Sequence, residues 1–460
     1  MKMKKILKPI LWAAVIVFVS CGKEFLAVKQ NKNQVVPNKI ADFQGILDNW
    51  RELNVSSSHE LSIIGADEYY ISDNHWDGLR DLYQKNGYIW ADDVYAGQDV
   101  DDWNAAYHRI LLANLALEGL ARISPLPDQR TAWEQAKGSA LFFRAWNHYQ
   151  LAQLFCKPYD SRTAGADLGI PLRLEADVSV KMGRSTLENT YHHIIQDLGA
   201  AADLLVVTPL NKLQPAKPAA YALLARVYLM MGDYSNARQS ADRCLALENE
   251  LLDFNQLDLS LNYLFPTVDY GESNPEILFF CFMDNITITN SSRYRADTLL
   301  LKLYKSGDLR RQAYFRDVSD RKVFKGSYRG GVAFFTGLAT DEVYLTRAEC
   351  AVREGDLETA YKDLNFLLSK RSDSDTFRPI AGLNRDELLE FVIKERRKEL
   401  VLRGIRWEDL RRLNKEVAFQ TTLIREVNGQ RYELTPESAR WVWPIPDNEI
   451  STGNIEQNRR

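Results

Sequence analysis

Carboxylates stand side by side at Asp92-Asp93 and Asp101-Asp102, and a pair of acids is the equipment of a glycosidase. That chemistry needs an acid and a second carboxylate on opposite sides of a sugar, roughly 5 to 9 Å apart, which neighbours in sequence do not supply. The six histidines include no H-E-x-x-H, and His192-His193 are adjacent rather than four apart on one helix face. A G-x-S-x-G elbow, a Gly-Lys-Ser/Thr phosphate loop and G-x-G-x-x-G are also missing. The expectation is a protein that is not an enzyme, with no catalytic residue, no metal site and no cofactor. What the sequence does hold is flat rings in polar surroundings. Tyr69, Tyr70, Trp76, Tyr83, Tyr88, Trp90 and Tyr95 lie among Asp, Asn and Gly between about 52 and 100, where helical periodicity fails, so the stretch reads as an aromatic-rich loop. Rings in such a loop serve as stacking platforms for sugars, and peptide capture uses the same rings.

The elements that carry this loop are helical. The 460 residues, 45% hydrophobic and 26% charged with 24 Gly and 15 Pro, have the composition of a folded chain with a large core. A first helix takes Phe43, Ile46, Leu47 and Trp50 at helical spacing, and Trp103, Tyr107, Ile110, Leu111, Asn114 and Leu117 form the stripe of another. A third runs from about 129 to 155. Ser185 with Glu188 three residues on reads as the capping box of a fourth, ending near Leu205. Pro218 opens the next, and there the pattern Ala225, Tyr228, Gly232-Asp233-Tyr234, Ala237, Ala241 and Leu245 is that of a tetratricopeptide unit. Ala348, Gly355-Asp356-Leu357, Ala360, Leu364 and Leu368 repeat it 123 residues later. The helices at 101–155 and 185–205 read as degenerate units of the same array, since such repeats close a core only in numbers of about three or more. Between the two clear units, 250–340 is irregular, with a strand-like Glu276–Phe280 and a Gly-rich Gly326–Gly331. Long insertions between repeats commonly carry function. Trp441–Pro446 reads as extended chain because of its prolines.

The N-terminus decides the compartment. Lys4 and Lys5 precede the mostly apolar run Ile10–Val19, followed by Ser20-Cys21-Gly22, which is a signal peptide too short to span a bilayer comfortably. A small residue before a cysteine resembles the lipobox of bacterial lipoproteins, in which Cys21 is diacylated and becomes the new N-terminus. Lys23-Glu24 resembles the surface-export signal of Bacteroidetes lipoproteins. The other cysteines, Cys156, Cys244, Cys281 and Cys350, are widely spaced and read as buried free thiols. The formal charge is −4, and without the four lysines of the first twenty residues the chain has 54 basic against 62 acidic side chains, a net −8. That balance gives no electrostatic footprint for nucleic acid.

Taken in order, Cys21 with Phe25-Leu26, Trp103 to Asn114, Phe143-Arg144-Ala145, Arg184-Ser185 to Tyr191, Ala219-Ala220 to Tyr228, Asn274 to Ile277, Glu342 to Glu349, Glu395-Arg396 to Arg412 and Pro444-Ile445-Pro446 resemble the SusD/RagB family over nearly the whole chain. The resemblance implies a mainly α fold, an α-α superhelix of tetratricopeptide-like repeats with loop-rich insertions carrying short strands. It implies a signal peptide at 1–20, a lipidated tether at 21–40, an N-terminal region at 41–215, and a C-terminal region at 216–460 holding the 250–340 insertion. It implies a lipid-anchored outer-membrane protein, facing outward, that captures a glycan and passes it to a SusC-type TonB-dependent transporter. The alternatives are a peptide-binding member of the same family, a surface glycoside hydrolase or a tetratricopeptide scaffold. In the resembling family, ligand is held by variable loops in the 66–95 region and around Tyr294. There Asp67, Tyr70, Trp76, Trp90, Asp93, Tyr95, Arg293 and Tyr294 are the expected ligand residues, rings stacking on sugar faces while Asp and Arg bond hydroxyl pairs. Glu395, Arg396, Arg397 and Glu399 are expected instead to tie helices together.

Overall fold

The computed structural model describes residues 37–460 apart from Ser56 and Asn454. Cys21 and Lys23-Glu24, on which the lipid and export readings rest, lie outside the described residues. Helix α1 (Ile40–Leu47) buries Phe43 and Leu47, as their spacing requires. The stretch expected to be loop folds instead into α2 (Trp50–Leu53), α3 (Glu60–Gly65), β1 (Tyr69–Ile71), α4 (Asp73–Asp77) and α5 (Leu82–Tyr88). One or two turns are too short for a 3.6-residue period to show in sequence. These short helices depend on tertiary partners. The carboxylate of Asp102 accepts from the amides of Glu60 (3.1 Å) and Leu61 (2.7 Å), satisfying the open N-terminus of α3.

Five longer helices follow: α6 (Asp101–Ala121), α7 (Arg130–Phe155), α8 (Leu187–Leu204), α9 (Lys217–Met231) and α10 (Tyr234–Leu245), each packed on the next. The cap of α8 is Thr186, whose hydroxyl accepts from the Asn189 amide, one residue later than the expected Ser185. The insertion then contributes β2 (Ile277–Phe279), β3 (Phe282–Met283), β4 (Tyr294–Ala296), α11 (Thr298–Leu303), α12 (Arg310–Tyr314), β5 (Phe315–Val318), β6 (Arg321–Phe324), β7 (Phe334–Phe335) and β8 (Leu338–Ala339). Its strands form antiparallel pairs, β2 with β8, β3 with β7 and β5 with β6, while β4 reaches back to β1. The second repeat is α13 (Thr340–Glu354) and α14 (Leu357–Arg371), and α13 packs directly on α10. The array is thus continuous in space, and the insertion is looped out of it.

The two repeats turn identically. Gly232 and Gly355 end α9 and α13 in the left-handed conformation, at φ 76° and 88°, where a Cβ is penalised. Asp233 and Asp356 follow at the same φ −86°, ψ 77°, and each caps the next helix by accepting from the amide three residues on. Ala219, Ala220, Ala237, Ala241, Ala348 and Ala360 are wholly buried, which lets the helices approach closely. The chain ends with α15 (Arg385–Glu399), α16 (Arg406–Leu413), the hairpin β9 (Leu423–Val427) and β10 (Gln430–Leu434), and α17 (Asp447–Gly453). The four remaining cysteines are buried free thiols.

Charged residues join these pieces. Arg310 donates to Glu395 (2.7 Å) and Glu399 (2.8 Å), Arg371 to Glu399 (2.7 Å) and Glu276 (2.5 Å), and Arg396 to Asp409 (2.8 Å). Glu395, Arg396 and Glu399 therefore do the helix-tying work expected of them, while Arg397 turns to Asp67 and Asp297. Such buried pairs offset their desolvation only when every lone pair and proton is used. The insertion is consequently fixed to α14 and α15 through Arg310 and Glu276.

Candidate functional site

The antiparallel register Tyr69↔Ala296, Tyr70↔Arg295, Ile71↔Tyr294 joins the 66–95 region to the insertion, so the two segments expected to hold ligand do meet. A strand alternates its side chains between faces, and here the alternation sorts the candidates. Tyr70 and Arg295 point outward, while Tyr69, Ile71, Tyr294 and Ala296 point into the core. Tyr294 is 2% exposed, and its hydroxyl accepts from the Phe324 amide at 3.0 Å. Trp90 is wholly buried, with its indole N–H donated to the Gly65 carbonyl at 3.1 Å and the Arg425 guanidinium 4.7 Å from its ring centre. Tyr95 is likewise buried and donates to the Pro444 carbonyl at 2.6 Å. These three rings face protein on all sides, so the structure corrects their assignment as stacking platforms.

The other five candidates have varied surroundings. Tyr70 is 40% exposed. Trp76 is half-buried; its indole N–H donates to the Lys85 carbonyl at 3.0 Å, and the Lys85 ammonium covers its ring at 4.3 Å. Asp93 is exposed, with one oxygen accepting from the Ala96 amide at 2.9 Å. Arg293 is half-buried and donates to the His75 carbonyl at 3.4 Å. Asp67 accepts a fork from Arg406 at 2.7 and 3.0 Å and pairs with Arg397 at 3.0 Å. Burial alone would raise its pKa, but the two guanidinia outweigh it and hold the carboxyl well below the usual range.

Asp67 and Tyr70 line a cavity of about 540 Å³ with Leu299, Ile424, Arg397 and Asp297. Its rim is apolar: Tyr70, Leu299 (62% exposed) and Ile424 (49% exposed) are all large hydrophobic side chains open to solvent. Its polar wall is the ion pair of Arg397 with Asp297 at 3.3 Å, beside Thr298, Thr421 and Thr422. Asp297 also caps α11, accepting from the Leu300 amide at 2.7 Å, and burial raises its pKa. Arg397 is depressed by burial, and its Nε has no hydrogen-bond partner among the described residues. A smaller cavity of about 250 Å³ adjoins, sharing Arg397 and Thr421. An apolar ring beside forked donors and carboxylates fits the amphipathic faces of a sugar. One nitrogen of Arg397 lies 3.0 Å from Asp67 and 3.3 Å from Asp297, so the guanidinium bridges the two carboxylates.

Sequence reasoning missed Arg397, Asp297, Leu299 and Ile424 as site residues. Two other cavities, of about 510 and 490 Å³, lie beside Trp103 and Tyr107 and beside Trp441 and Arg411, and neither includes a residue of 66–95 or of the insertion. No helix among the described residues is long and apolar enough to cross a membrane, and no cluster of three or more His, Cys, Asp or Glu side chains is placed to hold a metal.

Fold and cavity together define a helical-repeat protein with a tyrosine-rimmed cavity where the 66–95 region, the insertion and the C-terminal region meet. The chain belongs to the SusD family. Residues 24–229 match the family described as starch-binding associating with outer membrane, and 340–459 match the SusD family itself. SusD-like protein P2 of Formosa agariphila is 27% identical over 376 residues, 68% of this chain and 71% of that protein. A putative sugar binding protein of Bacteroides vulgatus shares the fold at a TM-score of 0.74, 22% identity, and 92% and 99% coverage of the two chains. A SusD superfamily protein of Bacteroides thetaiotaomicron does so at 0.72, 22%, 92% and 100%. The Arg293–Arg295 stretch lies between the two matched segments.

Proposed function

We propose that this chain is a surface nutrient-binding lipoprotein that captures an oligosaccharide and hands it, unaltered, to a SusC-type TonB-dependent transporter. The observation that carries the reading is the 540 Å³ cavity, with Tyr70, Leu299 and Ile424 at its rim and Arg397 and Asp297 in its wall. Membership of the SusD family supports it, as does the sugar-binding description of the Bacteroides vulgatus relative. In this reading residues 1–20 are removed and Cys21 carries the lipid. Residues 22–40 are the tether, and 41–215 and 216–460 are the two regions of the binding body. Tyr70 stacks on a sugar face and Arg397 donates to its hydroxyls. Peptide capture is the second reading, because a ring beside an ion pair also suits a peptide.

An immobilised panel of glycans and peptides tests the choice, with mass spectrometry of the bound ligand. Retention of a glycan at unchanged chain length is the expected result. Shortening of the chain would replace the reading with a hydrolase, and retention of peptides alone would select the second reading. Cys21→Ala should abolish fatty-acid labelling and outer-membrane fractionation. Mild-detergent pull-down should recover a large β-barrel subunit, and recovery of the protein alone counts against the transporter.

A further inference from the structure

Three arginines stand on or beside β4, the strand paired with β1 and its outward-facing Tyr70. Arg295 is the cross-strand partner of Tyr70. Arg293 lies two residues earlier, against Gly78, with its guanidinium donating to the His75 carbonyl. Arg321 stands on β6, which packs beside β4, and donates to the Ser292 carbonyl. All three act on His75, whose imidazole is held below its ordinary pKa first by partial burial and then by Arg321, Arg293 and Arg295.

The anions nearby leave this cluster under-compensated. Arg295 has Asp320 at 2.7 Å, a carboxylate 72% exposed. Arg293 has no carboxylate ion pair among the described residues, and Arg321 shares only the field of the same Asp320, with its Nε lacking a hydrogen-bond partner among them. Asp73 and Asp77 of α4 are turned to the β9–β10 hairpin, accepting from the Asn428 amide (3.0 Å) and its side chain (2.9 Å). Other arginines of this protein are closed by forks, as Arg226 is by Glu342 and Arg412 by Glu349. In a chain of net charge −4, guanidinia without forked carboxylate partners, set along the strand that pairs with an exposed ring, are a selective feature. A guanidinium is a planar fork of five donors that matches the paired oxygens of a carboxylate or sulfate, whereas sugar hydroxyls accept singly.

We propose that the ligand of this surface is an anionic oligosaccharide, bearing sulfate or carboxylate groups that Arg293, Arg295 and Arg321 bind while Tyr70 stacks on a neighbouring ring. The proposal rests on the glycan reading above and narrows it.

The test is calorimetric titration of detergent-purified full-length protein with two matched pairs: oligogalacturonate against its methyl ester, and sulfated against neutral dextran oligomers of equal length. The charged member of at least one pair should bind about tenfold more tightly than its neutral partner, the scale of charge-assisted hydrogen bonds. The pair that responds assigns carboxylate or sulfate. Arg293→Gln and Arg321→Gln should each remove most of that preference, and Lys181→Gln, on another face, should not. In the unaltered protein the preferred oligomer should protect Arg293 and Arg321 from phenylglyoxal, a readout that needs no substitution. Equal binding of charged and neutral partners overturns the anionic inference and leaves the glycan reading standing. Binding of peptides and of none of the four oligomers overturns both. A preference that survives both arginine substitutions, or no protection from phenylglyoxal, overturns the assignment to this cluster.

Discussion

Trp90→Ala and Tyr70→Ala are the same kind of truncation at two rings of one region, and the structure gives them opposite consequences. Trp90 is wholly buried, and its ring is one wall of a cage around the Arg425 guanidinium, which lies 4.7 Å from Trp90 and 3.7 Å from Tyr88. Removing a buried tryptophan costs about 3–5 kcal/mol. The folded unit Lys39–Arg460 has 422 residues, and unfolding entropy of about 2.1 cal/mol/K per residue makes about 0.9 kcal/mol per degree at the midpoint. The loss in Tm is then about 3–6 °C. Tyr70 is 40% exposed on the outer face of β1, so its truncation should move Tm by about 1 °C or less. If it is the stacking ring, ligand binding falls by about 2 kcal/mol, some thirtyfold. Differential scanning fluorimetry and titration with the glycan retained from the panel read both effects on the same samples. Trp90→Ala with unchanged Tm and lost affinity, or Tyr70→Ala with unchanged affinity, would refute the division into core and platform.

Three further outcomes follow from the same geometry. Asp67→Asn removes the anion shared by Arg406 and Arg397, and breaking a buried pair of this kind costs about 3–5 kcal/mol, so a thermal melt should fall by several degrees; an unchanged melt contradicts the role given to Asp67. Glu408 is raised to about 7, first by burial, and accepts from Tyr149 at 2.5 Å. Because its folded pKa lies above the unfolded value of about 4.5, its contribution is complete below that value and lost as pH rises through about 7. Glu408→Gln should therefore flatten the decline of Tm between pH 4.5 and 7, and an unaltered slope contradicts the assignment. Gly355→Ala has free space around the added methyl, with no atom within 4 Å, so it should lower stability in chemical denaturation only by the left-handed backbone penalty of about 1–2 kcal/mol; a larger loss would mean that the turn is packed more tightly than it stands here.

The repeats were legible because they depend on local rules: Gly232-Asp233 and Gly355-Asp356 announce their turns by residue type, and buried alanines announce close helix contact. The ion-pair role of Glu395 and Arg396 was legible because charges with helical spacing that are not on a solvated face need partners. The candidate site was only half legible. Its two segments were found, but β1 and β4 are three residues long, too short for alternation to show which ring faces out. Trp90 and Tyr95 looked exposed because their neighbours are polar, yet their partners, Gly65 and Pro444, come from distant parts of the chain. Arg397 and Ile424 join the cavity only through tertiary folding of the C-terminal region, which no local pattern encodes.

The most direct measurement is a crystal structure of the protein with the oligosaccharide retained from the panel. The account predicts a sugar ring against Tyr70 in the cavity walled by Arg397 and Asp297, with its glycosidic bonds intact. Ligand seated instead in the cavity beside Trp103 and Tyr107, with the Tyr70 cavity unchanged, would contradict it.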